Sequence, residues 1–474
     1  MTDAAVPEIE PPPPSIWAAV KEAVQGRHRH DYTAGPIGRA LMLLAVPMVL
    51  EVALESVFAV VNVFWVGRLG AGAIAAVGLT EAMFSCIYAL GMGLGIGATA
   101  TVARRIGEKN PDGAARAAVQ AIALGVMIAA PIALAGGIFA PDLLRLMGAA
   151  PDVVAGGSGF TRVMFSGNFV VLLLFLINAI FRGAGDAAIA MRSLWIANIC
   201  NLILDPLLIF GIGPFPELGI TGAAVATTVG RGMGVLYQFY RLSERNNRFV
   251  IRREHLRLDP ALLSSLLRLS GSGIFQILIT TTSWIGLVRV NSTFGSQALA
   301  GYTVAIRIVM FALLPSWGMS NASATMVGQA LGARKPDRAE QSVWRAASYN
   351  LWFLGGIGVL FVAFAPWLVN PFSADPEVRR IATLALRIVA AGFPFYAYGM
   401  VLTSAFNGAG DTWTPTLLNL FCFWLWEVPL AWVLSKQLGW GPAGVFASIA
   451  IAFSTLAVAS AVLFRRGKWK TRRV

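Results

Sequence analysis

Apolar residues run in blocks of membrane-crossing length from about residue 38 to residue 464, separated by short polar stretches. The pattern predicts twelve helices, at about 38–66, 74–103, 114–138, 157–181, 189–212, 219–242, 262–291, 298–328, 341–365, 382–406, 413–436 and 442–464. The fold class is therefore all-α, a membrane protein of twelve transmembrane helices. The first, second, seventh and eighth runs are longer than a bilayer requires, so tilt, kinks or extension beyond it are expected. Pro47, Pro131, Pro206, Pro315, Pro394 and Pro429 fall inside runs and mark bends.

One string occurs twice. Phe181-Arg182-Gly183-Ala184-Gly185-Asp186 returns 225 positions later as Phe406-Asn407-Gly408-Ala409-Gly410-Asp411. The same offset carries Gly107 to Asp112 onto Gly332 to Asp337, Gly70 to Ala73 onto Gly295 to Ala298, and Arg162 onto Arg387. A constant offset at separate places signals a duplication. Each copy holds six crossings, an even number, so both enter the bilayer in the same direction. The halves are then parallel repeats related by a pseudo-twofold along the membrane normal, with a central cleft between them. The resulting division is a disordered cytoplasmic tail over 1–36, an N-lobe over 37–242, a basic linker over 243–261, a C-lobe over 262–464 and a basic tail over 465–474. Ser15–Val24 has the composition of a short interfacial helix.

Composition agrees with this and narrows the partners. Of 474 residues, 57% are hydrophobic and 13% charged, which excludes an ordinary soluble domain. The net charge of +13 is gathered in four places: Arg241 to Arg257, Arg465 to Arg473, Arg104 to Lys109 and Arg334 to Arg338. All four fall on one side of the predicted topology. The positive-inside pattern places both termini in the cytoplasm, and nucleic acid is not needed as a partner. Cys86, Cys200 and Cys422 lie apart within apolar runs, as free thiols would, and His28, His30 and His255 lie in polar stretches. No metal site and no cofactor is expected.

The two Gly-Ala-Gly-Asp turns fall at helix ends, where glycine lets the chain reverse and Asp186 or Asp411 can cap the next helix. Gly91, Gly93, Gly95 and Gly97 stand in an apolar run with no preceding strand, which indicates close helix packing and not a phosphate loop.

Val60-Val-Asn62-Val-Phe-Trp-Val66-Gly-Arg-Leu-Gly70, the Gly332-to-Asp337 turn and Asn201-Leu-Ile-Leu-Asp205-Pro together resemble the multidrug and toxic compound extrusion (MATE) transporters, over about residues 38–464. The resemblance implies two six-helix lobes around a V-shaped cavity and export of organic compounds in exchange for H+ or Na+. Asn201 and Asp205 are similar to the N-lobe cation site of the bacterial DinF-type branch, with Thr227 or Thr228 matching its threonine. Transient Na+ at Asn201 and Asp205 is part of what the resemblance implies. Where the family's first helix usually carries an aspartate this chain has Asn62, which cannot release a proton. Gln276 stands where the other main branch has a glutamate.

Ionisable groups inside spans are costly and call for a function or a partner. Asp205 shares a helix face with Asn201 and is the leading cation-coupling residue. Glu51 and Glu55 lie one turn apart, with Asn62 two turns on; they either replace the missing acid, attract a cationic substrate or pack as a hydrogen-bonded pair. Glu427, close to Pro429, is the main acid of the second lobe, as a substrate contact or a helix cap. Arg162, Arg387 and Arg289 are expected to snorkel, and Arg307 to pair with an acid. Tyr396 and Tyr398 are the foremost aromatic candidates for a cavity that takes flat cations.

The reading is a monomeric, multi-pass antiporter of the inner (plasma) membrane that exports small organic compounds by rocking of two lobes. The alternative is a lipid-linked oligosaccharide flippase of related architecture, against which the acid-rich N-lobe counts. No HExxH, clustered His/Cys or nucleophile elbow suggests an enzyme.

Overall fold

The computed structural model describes residues 16–26, 30–244 and 248–472. Residues 1–15, His28, Arg245 and Arg473 lie outside them, and so do the expectations attached to those positions. In chain order the helices are α1 (Ile16–Gln25), α2 (Ile37–Gly67), α3 (Ala71–Gly107), α4 (Pro111–Ile138), α5 (Ala140–Leu146), α6 (Pro151–Ser166), α7 (Asn168–Ala184), α8 (Ala187–Phe210) and α9 (Ile220–Ser243). The second half contributes α10 (Pro260–Ser292), α11 (Ser296–Gly332), α12 (Pro336–Val369), α13 (Pro376–Ala391), α14 (Phe393–Gly408), α15 (Trp413–Asn419), α16 (Val428–Trp432) and α17 (Pro442–Arg465). Helices α15 and α16 are parts of one span, Trp413–Gln437, with wider π-helical turns at Leu420–Glu427 and Val433–Gln437.

Among the described residues nine helices are long and apolar enough to cross a membrane, and eleven when two bent pairs each count as one. The twelfth crossing is α9, whose polarity is raised by Arg231, Thr227 and Thr228. The fold is thus an all-α membrane protein of two parallel six-helix repeats. The fourth and tenth spans, expected as single helices, are each two: α6 and α7 meet at 41°, and α13 and α14 at 55°. Each break holds a glycine, Gly167 or Gly392, and Pro394 removes a backbone donor just past the second.

The duplication is written in the backbone. Gly70 and Gly295 have φ of 94° and 96°, and Gly185 and Gly410 have 88° and 82°. Lys109 and Arg334 sit at 55° and 58°, in the left-handed region that L side chains seldom enter. Both close a helix end, Asn110 N–H bonding to Arg105 O and Lys335 N–H to Ala330 O. Arg162 Nε donates to Gly137 O and Arg387 Nε to Val362 O, each at 3.1 Å and again 225 positions apart. Both arginines thus tie neighbouring helices together.

The glycine run of α3 packs as its composition suggests, in two directions. Gly91 and Gly95 face Leu172, Phe175 and Ala179 of α7, while Gly93 and Gly97 face Ile274 and Ser270 of α10 in the other lobe. Further along, Gly107 lies against Gln329, Gly332 against Arg104, and Gly318 against Met48 and Val49. A methyl group at Gly107 or Gly332 would collide with backbone, so these glycines let the lobes touch. Gln329 Nε2 donates to Gly183 O at 2.9 Å and Thr325 Oγ1 to Arg182 O at 3.1 Å, both across the lobe boundary. All of these approaches lie toward the termini. Toward Gly70 and Gly295 the leading helices instead expose Val57, Phe64, Ile285 and Phe311. The cleft is shut on the side of the termini.

In the described part of the leading segment, α1 lies over the stretch expected as a short helix. Helix α1 is anchored by Glu22 to Arg39 at 2.8 Å and by Arg192 Nη2 to Val24 O at 2.8 Å. Residues 30–35 bridge the lobes. Tyr32 Oη donates to Gly185 O at 3.0 Å, and Lys335 Nζ to Thr33 O at 2.9 Å. Arg338 donates to the carbonyls of Tyr32, Ala34 and Gly35. At the other end Trp469 is fully buried and stacks on Phe464 with ring centroids 4.5 Å apart.

Candidate functional site

The N-lobe interior holds three polar layers along α8, presented by Ser193, Asn198, Asn201 and Asp205. In the layer nearest the termini Glu51 of α2 accepts from Arg182 Nη1 at 2.8 Å and Asn178 Nδ2 at 3.0 Å. Asn178 Oδ1 in turn accepts from Ser193 Oγ and Gln238 Nε2, both at 2.7 Å. One turn along α2, Glu55 Oε1 accepts from Arg231 Nη2 and Glu55 Oε2 from Asn198 Nδ2, both at 2.9 Å. Glu51 and Glu55 are thus each paired with an arginine of another helix and not with one another. Each carboxylate has its own guanidinium, which low dielectric favours strongly over two bare acids. The charges of Glu51 and Glu55 are therefore balanced within the N-lobe.

In the third layer the Asn201 amide joins two neighbours. With its nitrogen toward Asp205 it donates to Oδ2 at 2.9 Å, while its oxygen accepts from Thr227 Oγ1 at 3.0 Å and Thr227 N–H at 2.9 Å. Asp205 is fully buried and makes no ion pair among the described residues, and its Oδ1 has no hydrogen-bond partner. Thr228 instead turns its hydroxyl to Ala224 O of its own helix. Asn201, Asp205 and Thr227 are thus brought together. Asn62 is half-buried two turns beyond Glu55 and shows no hydrogen bond to this group.

The C-lobe has no matching arrangement. Glu427 ends the π-helical stretch, buried, with no ion pair among the described residues. The hydroxyls of Tyr302 and Tyr396 and the thiol of Cys422 lie within electrostatic reach of it. Tyr396 stacks on Phe453 with centroids 3.8 Å apart, and the buried Tyr302 hydroxyl has no partner. Tyr398 is on the other side of α14, against Trp344 at 6.4 Å, because two residues turn a helix by about 200°. Tyr398, named with Tyr396 as a candidate cavity aromatic, packs between α12 and α14. Arg307 is exposed and forms no ion pair among the described residues, contrary to the acid partner expected for it.

Sequence reasoning missed Arg182 and Arg231. Arg182 stands in the duplicated string, replaced by Asn407 in the second copy, and Arg231 lies in the middle of the sixth predicted span. The cost of an intramembrane charge applied to both and could have flagged them.

Two like lobes around a cleft, with buried carboxylates midway along their helices, define a membrane transporter and not an enzyme. The MatE family profile matches residues 47–207 and again 272–433, the second match starting 225 positions after the first. The chain belongs to this family of transporters. It is 27% identical to the probable multidrug resistance protein YoeA of Bacillus subtilis, over 88% of this chain and 91% of that one. It is 26% identical to an FAD transporter of Shewanella oneidensis, over 85% and 90%. A crystal structure of MATE in the bent conformation superposes with a TM-score of 0.86 at 26% identity, covering 94% of this chain and 97% of that one.

Proposed function

We propose that the protein is a secondary-active exporter of small organic compounds, amphipathic and often cationic, working as a single chain of the bacterial DinF-type branch. Its lobes rock between two openings, and cation binding at Asp205 shifts their populations. Similarity to probable multidrug resistance proteins supports the cargo class. Both termini lie in the cytoplasm on this reading, so the cleft described here opens outward. Glu427 and Tyr396 supply an auxiliary site in the second lobe.

The observation that carries the assignment is the difference among the N-lobe acids. Glu51 and Glu55 are each neutralised by an arginine, whereas Asp205 has no positive partner among the described residues. A buried carboxyl in that position is stable when it holds a proton or a cation. We favour the proton. A proton meets the need of a carboxyl buried without an ion pair, and the Asn201 amide can turn either its nitrogen or its oxygen to Asp205 as that proton comes and goes. Coupling requires that the proton and the cargo favour different states, since a ligand that binds both equally moves nothing.

The test is ethidium transport in vesicles under imposed proton or sodium gradients, applied separately. The wild type is expected to respond to the proton gradient alone. Asp205→Asn is expected to bind ethidium and lose gradient-driven movement; full transport by that variant would remove Asp205 from the mechanism.

A further inference from the structure

Arg231 is 3% exposed in the middle of the N-lobe, yet most of its hydrogen-bonding capacity is idle. Its Nη2 binds Glu55, while Nε and Nη1 are buried with no partner. A guanidinium presents five N–H donors in a fixed fork suited to planar acceptors. The rings of Phe58 and Phe175 lie 5.8 and 5.7 Å from it, and Tyr88 meets Phe175 edge-on at 5.7 Å. The mount is stiff. Gly230 and Gly234 set α9 flush against the backbone of α8 at Ala197 and Ser193, which fixes the helix that carries Arg231.

The partner acid is placed differently. In this pair the arginine is hidden and the Glu55 side chain is 30% exposed; in the Arg182–Glu51 pair the acid is at 5% and the arginine at 19%. Glu51 is therefore locked in, while Glu55 covers Arg231 from the accessible side. When Glu55 turns away it vacates the Asn198 amide as well, a second donor already aimed at an acceptor.

We propose that Arg231 is an anion-recognising subsite. It takes the carboxylate, or another anionic oxygen, of a planar aromatic cargo between Phe58 and Phe175, and Glu55 is the chain's own stand-in when no cargo is there. The subsite deepens the exporter reading on which it rests, because it lets the N-lobe take zwitterions and aromatic acids as well as cations. Bidentate pairing with a carboxylate is the chemistry the idle nitrogens fit.

The experiment measures equilibrium binding to the purified full-length protein in detergent, with no gradient. The probes are norfloxacin, a planar zwitterion with a ring carboxylate, and ethidium, a planar cation without one. Glu55→Gln is expected to bind norfloxacin several-fold tighter, as the competing acid is gone. Arg231→Gln is expected to bind it about tenfold or more weakly, the worth of a charge-assisted hydrogen bond. Ethidium affinity is expected to stay within about twofold in both, as neither change alters a contact that needs a carboxylate. Because Arg231→Gln alone strands Glu55, the double change Glu55→Gln with Arg231→Gln is measured too, and is expected to be as weak toward norfloxacin as the single change. Equal weakening of norfloxacin by both single changes, equal weakening of both probes by Arg231→Gln, or no effect of that change would overturn the subsite. A wild-type protein that binds neither probe would overturn the exporter reading beneath it.

Discussion

Arg472 reaches Asp411 at 3.4 Å, and Arg248 reaches Asp186 at 3.2 Å, in the two copies of the Gly-Ala-Gly-Asp turn. The two aspartates stand 225 positions apart. Neither caps the following helix as expected; Asp186 makes no side-chain cap bond and Asp411 takes the Thr414 hydroxyl at 2.7 Å. Each arginine follows the last helix of its lobe and also ties the chain across the closed face. Arg248 Nη2 donates to His30 O at 2.7 Å, and Arg104 donates to Arg472 O.

These ties lead to the first prediction. Asp186→Asn with Asp411→Asn loosens the closed face while leaving the cleft walls intact. In vesicles, a cysteine at Ser270→Cys, a position 1% exposed against Gly97, is expected to react several-fold faster with a membrane-impermeant maleimide applied from the side of the termini. The comparison requires Cys86→Ala as background, since Cys86 is itself exposed. Unchanged labelling would mean the paired turns do not hold the lobes shut.

The lobe contact also depends on Gly107 and Gly332. Alanine at either collides with backbone of the opposite lobe, so Gly107→Ala is expected to disfavour this closed face and reduce export while leaving the amount of folded protein unchanged. Transport rate normalised to protein in the membrane checks it.

The buried Glu51–Arg182 pair predicts an asymmetry in stability. Arg182→Ala strands a carboxylate that is 4% exposed and is expected to cost about 3–5 kcal/mol, whereas changing Glu51 and Arg182 together to neutral residues of similar volume costs far less. Thermal unfolding of the purified variants measures the difference. A double variant as unstable as Arg182→Ala would show that packing, not charge, decides the site.

Glu427 is buried and makes no ion pair among the described residues, surroundings in which an uncharged carboxyl costs least. Glu427→Gln copies that form in shape and is expected to keep the unfolding temperature while lowering the number of protons moved per ethidium. An unchanged proton count would assign Glu427 to packing of the π-helical span.

Much of the architecture lay open in the sequence because each of its signals is local. Apolar length, the side on which Arg104, Arg248 and Arg334 gather, and the repeated turn at Asp186 and Asp411 can all be read without knowing what touches what. So can the neighbours Asn201 and Asp205, one helical turn apart. What only the tertiary structure decided is which charge answers which. Glu51 meets a guanidinium 131 positions away and Glu55 one 176 positions away, and no periodicity along the chain encodes such distances. The bends at Gly167 and Gly392 are of the same kind. Hydrophobicity sets where the helices are, but the partner of a buried charge is chosen by the packing of α2, α7, α8 and α9 together, and that packing leaves Asp205 fully buried with no ion pair among the described residues.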